Sequence, residues 1–414
     1  MKRICLFITL IWLFSLGLTA QTDSIWTIRG KVIDAKTRKP MVSVSVTDKT
    51  VGTVTNEDGE FILKLKRTAG AVPVVTFSYL GYQSRQLDAE ECLALEAQKK
   101  PVRMSPSTVM LSEIFVDGTD AREVVEKAIE KIDKNYPRVP NLLRGFYRET
   151  VQKRQRFISI AEGVVDVYKS GYHRSDWRDG VAILKGRRLL SQRKGDTLSV
   201  KLQGGPVLPV ILDMVKERDL LLNTKELDNY SFSFRVPEKT DNQVQYVVEV
   251  TPKLVMPYPL FKGLLYIDRE TLAFTKIDLE VDMSEPGKVT DMILRKKPFS
   301  LRFAPRQLSV SIDYKTDGGV TRINYIKNVI RFRCDWKRKL FKSNFIIVSE
   351  MVVTDRKEGE GIKPIKIRDT FNRRDNFYDK VVFFRDPAFW GNENIIEPTE
   401  DLLKGIEKIK QKLR

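Results

Sequence analysis

The sequence predicts a mainly β protein, in which a small N-terminal β-sandwich precedes a larger antiparallel β-rich domain with a few helices. Two observations support this prediction. Apolar residues alternate with polar ones in short runs between residues 28 and 82 and again between residues 143 and 353, which is the period of strands with one buried face. Clusters of Gly, Pro, Asn and Asp separate these runs, as expected of turns. The larger domain is therefore expected to be a curved sheet or half-barrel.

The composition is that of a folded and strongly basic protein. The 414 residues are 42% hydrophobic and 30% charged, with a formal net charge of +18. This length accommodates two or three domains. The positive charge either confers solubility or favours an anionic lipid or glycan surface.

Residues 1–20 have the pattern of a secretory signal peptide. Lys2 and Arg3 precede an apolar stretch that ends at Leu18, and Ala20 offers a cleavage site. An uncleaved membrane anchor is the alternative. Because Cys5 lies too early to be lipidated at that site, we expect a cleaved, non-lipidated protein of the periplasm or outer-membrane periphery. Nucleic acid is not an expected partner there.

The predicted sandwich occupies residues 25–106. Its clearest alternating runs are Val42, Val44, Val46 and Phe61, Leu63, Leu65. Asn56 to Gly59 fits a hairpin turn better than a calcium loop, since the twelve-residue ligand spacing is missing.

Three motifs within this stretch are GKVIDAKTRKPMVSVSV, GTVTNEDGEFIL and VTFSYLGYQS. In this order they resemble the carboxypeptidase-regulatory-like domain, a transthyretin-like sandwich. The resemblance implies a fold rather than an activity, because such domains are accessory modules on many unrelated proteins. No peptidase domain accompanies it in the sequence. Carbohydrate recognition through exposed Tyr79 and Tyr82 is one alternative function.

A linker is predicted at residues 107–119, and residues 120–414 form the larger domain. Helices are expected at its beginning, middle and end: Asp120–Tyr136 with Val125, Ala128, Ile129 and Ile132 inward; Leu208–Leu222 with Ile211, Val215 and Leu222 inward; and the C-terminal segment with Leu402, Ile406, Ile409 and Leu413 on one face. The last helix either docks on the domain or contacts a membrane surface.

The hairpin GLLYIDRETLAFTKIDLEV resembles the corresponding hairpin of the periplasmic lipoprotein-carrier fold, whose groove binds acyl chains. Alternation places Leu265, Ile267, Ile277 and Leu279 on one face of this hairpin. We expect these four residues to line the inner wall of a groove, with a filled core as the alternative. The other face, including Phe274, Lys276 and Asp278, is expected to meet water.

Catalytic chemistry is not predicted. His173 is the only histidine, which excludes histidine clusters for zinc. Ser191 and Lys194 fit Ser-x-x-Lys, but the companion motifs are absent. Cys92 and Cys334 are expected to be free thiols. Two clusters of basic residues are expected either to contact an anionic surface or to be solvated. The first comprises Arg187, Arg188, Arg193 and Lys194, and the second comprises Arg331, Arg333, Lys337, Arg338, Lys339 and Lys342.

The sequence therefore predicts a non-enzymatic, exported cell-envelope protein without cofactors or metal, which binds an apolar ligand such as an acyl chain, or an envelope protein. A carbohydrate-binding protein and an accessory subunit of an outer-membrane complex are the alternatives.

Overall fold

The computed structural model describes residues 25–49, 51–68, 70–107, 118–173, 179–193, 195–196, 200–202, 204–240, 243–337, 342–372, 375–383 and 388–411. The predicted signal peptide at residues 1–20 and most of the predicted linker lie outside this part of the chain. Within it the protein is mainly β, as predicted, with a large sheet that does not close into a barrel.

The N-terminal part is a two-sheet sandwich. Its strands and single helix are β1 (Ile25–Asp34), β2 (Ser45–Asp48), β3 (Val51–Val54), β4 (Glu60–Lys66), β5 (Val74–Ser78), β6 (Arg85–Asp88), α1 (Ala89–Ala97) and β7 (Val102–Met104). One sheet has the order β4-β1-β7 and the other β3-β2-β5-β6. Of the predicted alternating residues, Val44, Val46, Phe61, Leu63 and Leu65 are buried between the sheets. Val42 is 36% exposed, because it lies in the turn before β2 rather than in a strand. The sandwich is therefore held by the side chains whose spacing predicts it.

The turn at Asn56 is stabilised by the Asn56 side chain, which accepts hydrogen bonds from backbone N–H groups of the turn. Asn56 Oδ1 accepts hydrogen bonds from the backbone N–H groups of Asp58 and Glu60, each at 2.9 Å. Gly59 has a φ of 75°, a conformation that glycine adopts without strain. The predicted turn is present, but it is not the turn of a hairpin. β3 and β4 belong to different sheets, so the turn at Asn56 carries the chain from one sheet of the sandwich to the other.

The rest of the chain forms a twelve-stranded antiparallel sheet with short helices, counted over the described residues. Its elements are α2 (Ala121–Glu130), α3 (Ile132–Asn135), β8 (Asn141–Lys153), β9 (Arg156–Lys169), β10 (Gly180–Leu190), β11 (Lys201–Leu202), α4 (Leu208–Ile211), β12 (Tyr230–Phe234), β13 (Glu238–Thr240), β14 (Gln243–Pro252), β15 (Phe261–Asp268), β16 (Phe274–Val281), α5 (Pro286–Ile293), β17 (Leu294–Lys296), β18 (Leu301–Asp317), β19 (Val320–Trp336), β20 (Ser343–Glu358), β21 (Val382–Phe383) and α6 (Glu400–Lys410).

The strand order departs from a simple meander. Eleven of the twelve strands run β12-β14-β15-β16-β18-β19-β20-β8-β9-β10-β21, so the first strands of this part pair with the last long one. The twelfth, β13, pairs with β14 beside this path, and β11 and β17 form a separate two-stranded sheet. β8 pairs with β20 over its whole length, from Asn141 opposite Glu358 to Lys153 opposite Phe345. The pair β10 and β21 is parallel. The sheet is therefore continuous across a long sequence separation.

The predicted first and last helices are confirmed, whereas the middle one is much shorter than predicted. Val125, Ala128, Ile129 and Ile132 of the first are buried, and Asp120 caps it by accepting from the Arg122 N–H at 3.4 Å. The α-helix that begins at Leu208 ends at Ile211, and a single 3-10 turn follows at Arg218–Leu220. The residues between them form turns instead, because Asp213 and Lys216 take part in a buried polar cluster described below.

The C-terminal helix docks on the sheet. Leu402, Ile406 and Ile409 pack against Ile160 and Leu189 of β9 and β10. Thr399 caps the helix by accepting from the Leu402 N–H at 3.1 Å. Its apolar face is thus covered by protein.

The sandwich packs on one face of the large sheet through a segment near the C-terminus. Val54 and Ile62 of the sandwich share an apolar cluster with Phe146 and Val352 of the sheet and with Ile396. The segment hydrogen-bonds to both sides, since Thr53 Oγ1 donates to the Ile395 carbonyl at 2.8 Å and Arg148 Nη2 to the Ile396 carbonyl at 2.7 Å. The two faces of the sheet therefore differ, because one carries the sandwich and the other carries the main core and the helices α2 to α5.

Candidate functional site

The four residues predicted to line a groove lie in the filled core. Leu265, Ile267 and Ile277 are 0% exposed and Leu279 is 3% exposed. Alternation identifies their common face correctly, but other core side chains cover that face. The predicted open groove is therefore not present at these residues in this conformation.

The other face of the same hairpin also differs from the prediction. A register shift between Tyr266 and Ile267 brings Phe274 opposite Ile267 and buries it completely. Lys276 is not solvated either, since its ammonium lies 5.8 Å from the ring centre of Tyr79 and 3.1 Å from Asp278. Around Lys276 this polar face therefore meets Tyr79 of the sandwich rather than bulk water.

A cavity of about 270 Å³ lies further along the core face of the sheet. Its floor is apolar and is provided by β8, β9, β19 and β20. The side chains that form it are Val151, Ile158, Ile330 and Ile347, each 8% exposed or less. Ligand cavities of this type are largely apolar, with few polar groups.

Two stretches without long elements form the roof of this cavity. One runs from Ser191 to Leu208 and includes Val200 and Leu202, and the other includes Phe377 and Tyr378. Phe377 is fixed by the edge of the Tyr147 ring, with 5.1 Å between the ring centres. Gly205 has a φ of 85°, and a Cβ there would lie 2.8 Å from the Phe371 ring. Glycine is therefore required for this close approach.

Glu149 is the one ionisable side chain that the sheet contributes to the cavity. Its Oε2 accepts from the Tyr147 hydroxyl at 2.9 Å, and the Gly205 N–H also donates to it. Burial raises the pKa of Glu149 above its usual value, although both hydrogen bonds act against this shift. The cavity thus combines an apolar floor with a carboxyl group that is poorly solvated.

A buried ionic cluster anchors the roof next to α4. Asp213 is 0% exposed and accepts from Lys169 Nζ at 2.5 Å, from the Tyr172 hydroxyl at 2.7 Å and from the Tyr314 hydroxyl at 2.6 Å. Lys216 donates to the Ser170 carbonyl at 2.5 Å and forms an ion pair with Asp179 at 3.0 Å. Because buried charges need such partners, the cluster fixes the chain that follows Leu208.

Basic loops surround the end of the sheet on which the cavity lies. Strands β11 and β17 pair there, with Lys201 opposite Lys296. The Lys337 ammonium lies 4.8 Å from the centre of the Phe299 ring, which is 90% exposed. Exposed basic residues of these loops are Arg154, Arg193, Lys201, Lys253, Arg295, Lys296, Lys297, Lys337 and Lys342. We call these loops the basic rim.

Two members of the first predicted basic cluster, Arg187 and Arg188, are engaged by other side chains of the protein. Arg187 Nε donates to the buried Glu162 carboxylate at 3.0 Å, and its guanidinium lies 4.9 Å from the Trp390 ring centre. Arg188 pairs with Asp379 at 3.6 Å. Among the described members, Arg193, Lys337 and Lys342 belong to the basic rim. Lys194 and residues 338–341 lie outside the described residues.

The other residues considered from the sequence are dispersed. Tyr79 and Tyr82 are half-buried against each other, with 5.6 Å between their ring centres, and Tyr82 donates to Asp34 at 2.6 Å. His173 lies in an exposed loop. Ser191 donates to Asp196 at 2.6 Å. Cys92 and Cys334 are buried free thiols.

Within the described part of the chain, no group of three or more His, Cys, Asp or Glu side chains is arranged to hold a metal ion. No helix there is long and apolar enough to cross a membrane.

Comparison with known proteins agrees with the sandwich. Residues 28–116 match the family model of the CarboxypepD_reg-like domain. The predicted resemblance of this part of the chain is confirmed. The match covers a minority of the chain and contains none of the cavity residues. No curated protein matches the sequence.

Three solved structures are similar to part of the chain at low identity. A DUF1329 family protein from Desulfovibrio piger is 10% identical, with a TM-score of 0.25, and the similarity covers 59% of this chain and 96% of that protein. A LolA superfamily protein from Nitrosomonas europaea is 14% identical, with a TM-score of 0.23 and coverages of 62% and 99%. A putative outer membrane lipoprotein-sorting protein domain from Vibrio parahaemolyticus is 14% identical, with a TM-score of 0.26 and coverages of 59% and 95%.

Proposed function

We propose that this chain is a non-enzymatic binding protein of the Gram-negative cell envelope that holds an apolar ligand, of the acyl-chain type, in the cavity over β8, β9, β19 and β20. The observation that carries the proposal is the apolar floor of Val151, Ile158, Ile330 and Ile347, left unfilled in an otherwise packed core. Protein interiors contain few such voids, and an apolar one favours an apolar occupant.

The basic rim supports a membrane as the source of this ligand. Lys201 and Ser191 line the cavity and belong to the same end of the sheet as Phe299. Exposed cations around a protruding aromatic side chain suit the headgroups and interface of an anionic bilayer. In this proposal the protein is exported, and its ligand exchanges with the membrane at the rim.

A filling substitution tests the cavity directly. Ile347 points into the cavity, whereas its neighbour Ile346 is on the other face of β20 and is half-buried. We expect Ile347→Trp to reduce the affinity for a dansyl-labelled fatty acid at least tenfold, because the indole occupies the ligand's space. The matched control Ile346→Trp should retain binding.

Saturable binding that is equal in both variants, or no binding by the wild-type protein, contradicts the proposal. The location is tested separately by mass spectrometry of the protein isolated from envelope fractions. A chain that begins near residue 21 without lipid agrees with export, whereas one that begins at Met1 or carries lipid does not.

A further inference from the structure

A second cavity, of about 230 Å³, lies between the sandwich and the other face of the large sheet. Thr47 and Lys49, at the end of β2, contribute from the sandwich. Lys315, Asn324 and Arg356 contribute from β18, β19 and β20. This cavity shares no lining residue with the apolar one.

The charges in this second cavity do not balance. Arg322 is fully engaged, since its guanidinium donates to both Glu358 oxygens, at 2.5 and 2.8 Å. Lys315 donates to the Thr47 hydroxyl, and Arg356 donates to the Ile323 carbonyl at 3.1 Å. Neither forms an ion pair with a carboxylate of the described residues. Lys49, Lys315 and Arg356 therefore face a single carboxylate, that of Asp317.

Asn324 adds a neutral polar group to the lining of this cavity. The residue is only 7% exposed and lies on β19 between the two cations of the neighbouring strands. Its side-chain amide carries two N–H donors that can serve an occupant of the cavity.

The cost of this arrangement appears in the pKa values of Lys315 and Arg356, which are both half-buried. Burial lowers the pKa of Lys315, and burial together with the Arg322 charge lowers the pKa of Arg356. Desolvated like charges are unfavourable unless a counter-charge accompanies them. An anion in the cavity would remove this cost.

We propose that this cavity is a binding site for a phosphate-type oxyanion, held by Lys315, Arg356 and Asn324 and closed by Thr47 and Lys49 of the sandwich. A planar guanidinium fork and an ammonium are the groups that suit phosphate oxygens, and the neutral amide supplies a further donor. Because the donors come from both parts of the protein, the anion bridges the sandwich and the large sheet. This inference does not depend on the proposed apolar ligand.

Calorimetric titration with inorganic phosphate, in a chloride buffer of matched ionic strength, tests the site. We expect saturable binding to the wild-type protein and at least a tenfold loss of affinity in Lys315→Met and Arg356→Gln. Lys408→Met, which removes an exposed lysine of α6, should bind as the wild type does.

Asn324→Asp keeps the size of the side chain and adds a carboxylate, so it tests the site even if the cation variants fail to fold. It should abolish phosphate binding while circular dichroism stays native. Absence of saturable binding to the wild-type protein, or equal binding by Asn324→Asp, overturns the proposal.

Glycerol 3-phosphate distinguishes the source of the group. Binding at least tenfold tighter than that of inorganic phosphate indicates a phosphate carried on a larger molecule, such as a lipid headgroup. Equal affinity indicates the free ion. Both outcomes require the same loss in Lys315→Met, and binding of either compound that survives this substitution counts against the site.

Discussion

Replacing Asp213 by asparagine should destabilise the protein and loosen the roof of the apolar cavity. The carboxylate accepts three hydrogen bonds, from Lys169, Tyr172 and Tyr314, while fully buried. Leu208, shortly before it in the chain, lines the cavity. The substitution keeps the shape of the side chain but removes the charge that balances Lys169, which is itself only 2% exposed.

The magnitude follows from the burial of both partners. Breaking a buried ion pair by removing one charge costs about 3–5 kcal/mol, because the other charge is left uncompensated. Burial opposes ionisation of Asp213, yet Lys169 and the two phenols hold its pKa below the usual 3.8. The carboxylate therefore contributes its stability above that pH, and the contribution is lost as the pH falls through the lowered pKa.

Urea denaturation at pH 7 measures the change, with Glu400→Gln as a matched control. Glu400 pairs with Lys404 at 3.2 Å on the surface, with side chains 72% and 60% exposed, and such pairs contribute about 0.3–0.5 kcal/mol. Adding Lys169→Met to Asp213→Asn should recover part of the loss, since it removes the orphaned ammonium. A cost for Asp213→Asn as small as that of Glu400→Gln would refute the reasoning.

Three further predictions concern the cavity, the core and the rim. The affinity of the wild-type protein for an uncharged apolar probe should rise as the pH falls, because the probe displaces water from Glu149 and so favours its protonated form. Glu149→Gln should bind the probe more tightly, and its affinity should not depend on pH. A wild-type affinity that stays constant between pH 5 and 8 contradicts this prediction. Ile277→Asp should lower the free energy of unfolding by several kcal/mol, because it buries an unpaired charge. Glu280→Ala, on the solvent side of the same strand, should change it little. Equal urea midpoints for the two variants would place Ile277 outside the core. Phe299→Ser should weaken sedimentation with phosphatidylglycerol vesicles but not the residual binding to phosphatidylcholine, and unchanged sedimentation excludes Phe299 from the contact.

Strand positions were predictable because alternation is a local property. The long strands β8, β9, β10, β14, β19 and β20 coincide with the part of the chain, between residues 143 and 353, in which apolar and polar residues alternate. Their order was not predictable, since the pairing of β8 with β20 joins residues that are between 192 and 217 positions apart. Nothing in the local pattern of either strand encodes that partner.

The site shows the same division between local and distant information. The alternation of Leu265, Ile267, Ile277 and Leu279 identifies a buried face of the sheet, but it does not show where a cavity remains over that face. The position of the cavity depends on which segments cover the sheet. The sequence from Ser191 to Leu208, which contributes lining residues, has no periodic pattern that would predict its position. The middle helix fails for a related reason. Its helical spacing at Ile211 and Val215 is real, but the tertiary partners of Asp213 outweigh it.

Strand β8 connects the contacts beneath the sandwich with the apolar cavity. Successive side chains of a strand point to opposite faces, so Arg148 and Glu149 contact different surfaces. Arg148, 3% exposed, donates to Glu162 at 2.8 Å and to the Ile396 carbonyl at 2.7 Å beneath the sandwich. Glu149 faces the cavity on the other side. Because the same backbone carries both residues, we expect a substitution that breaks the Arg148 contacts to shift Glu149 as well and to change the shape of the cavity.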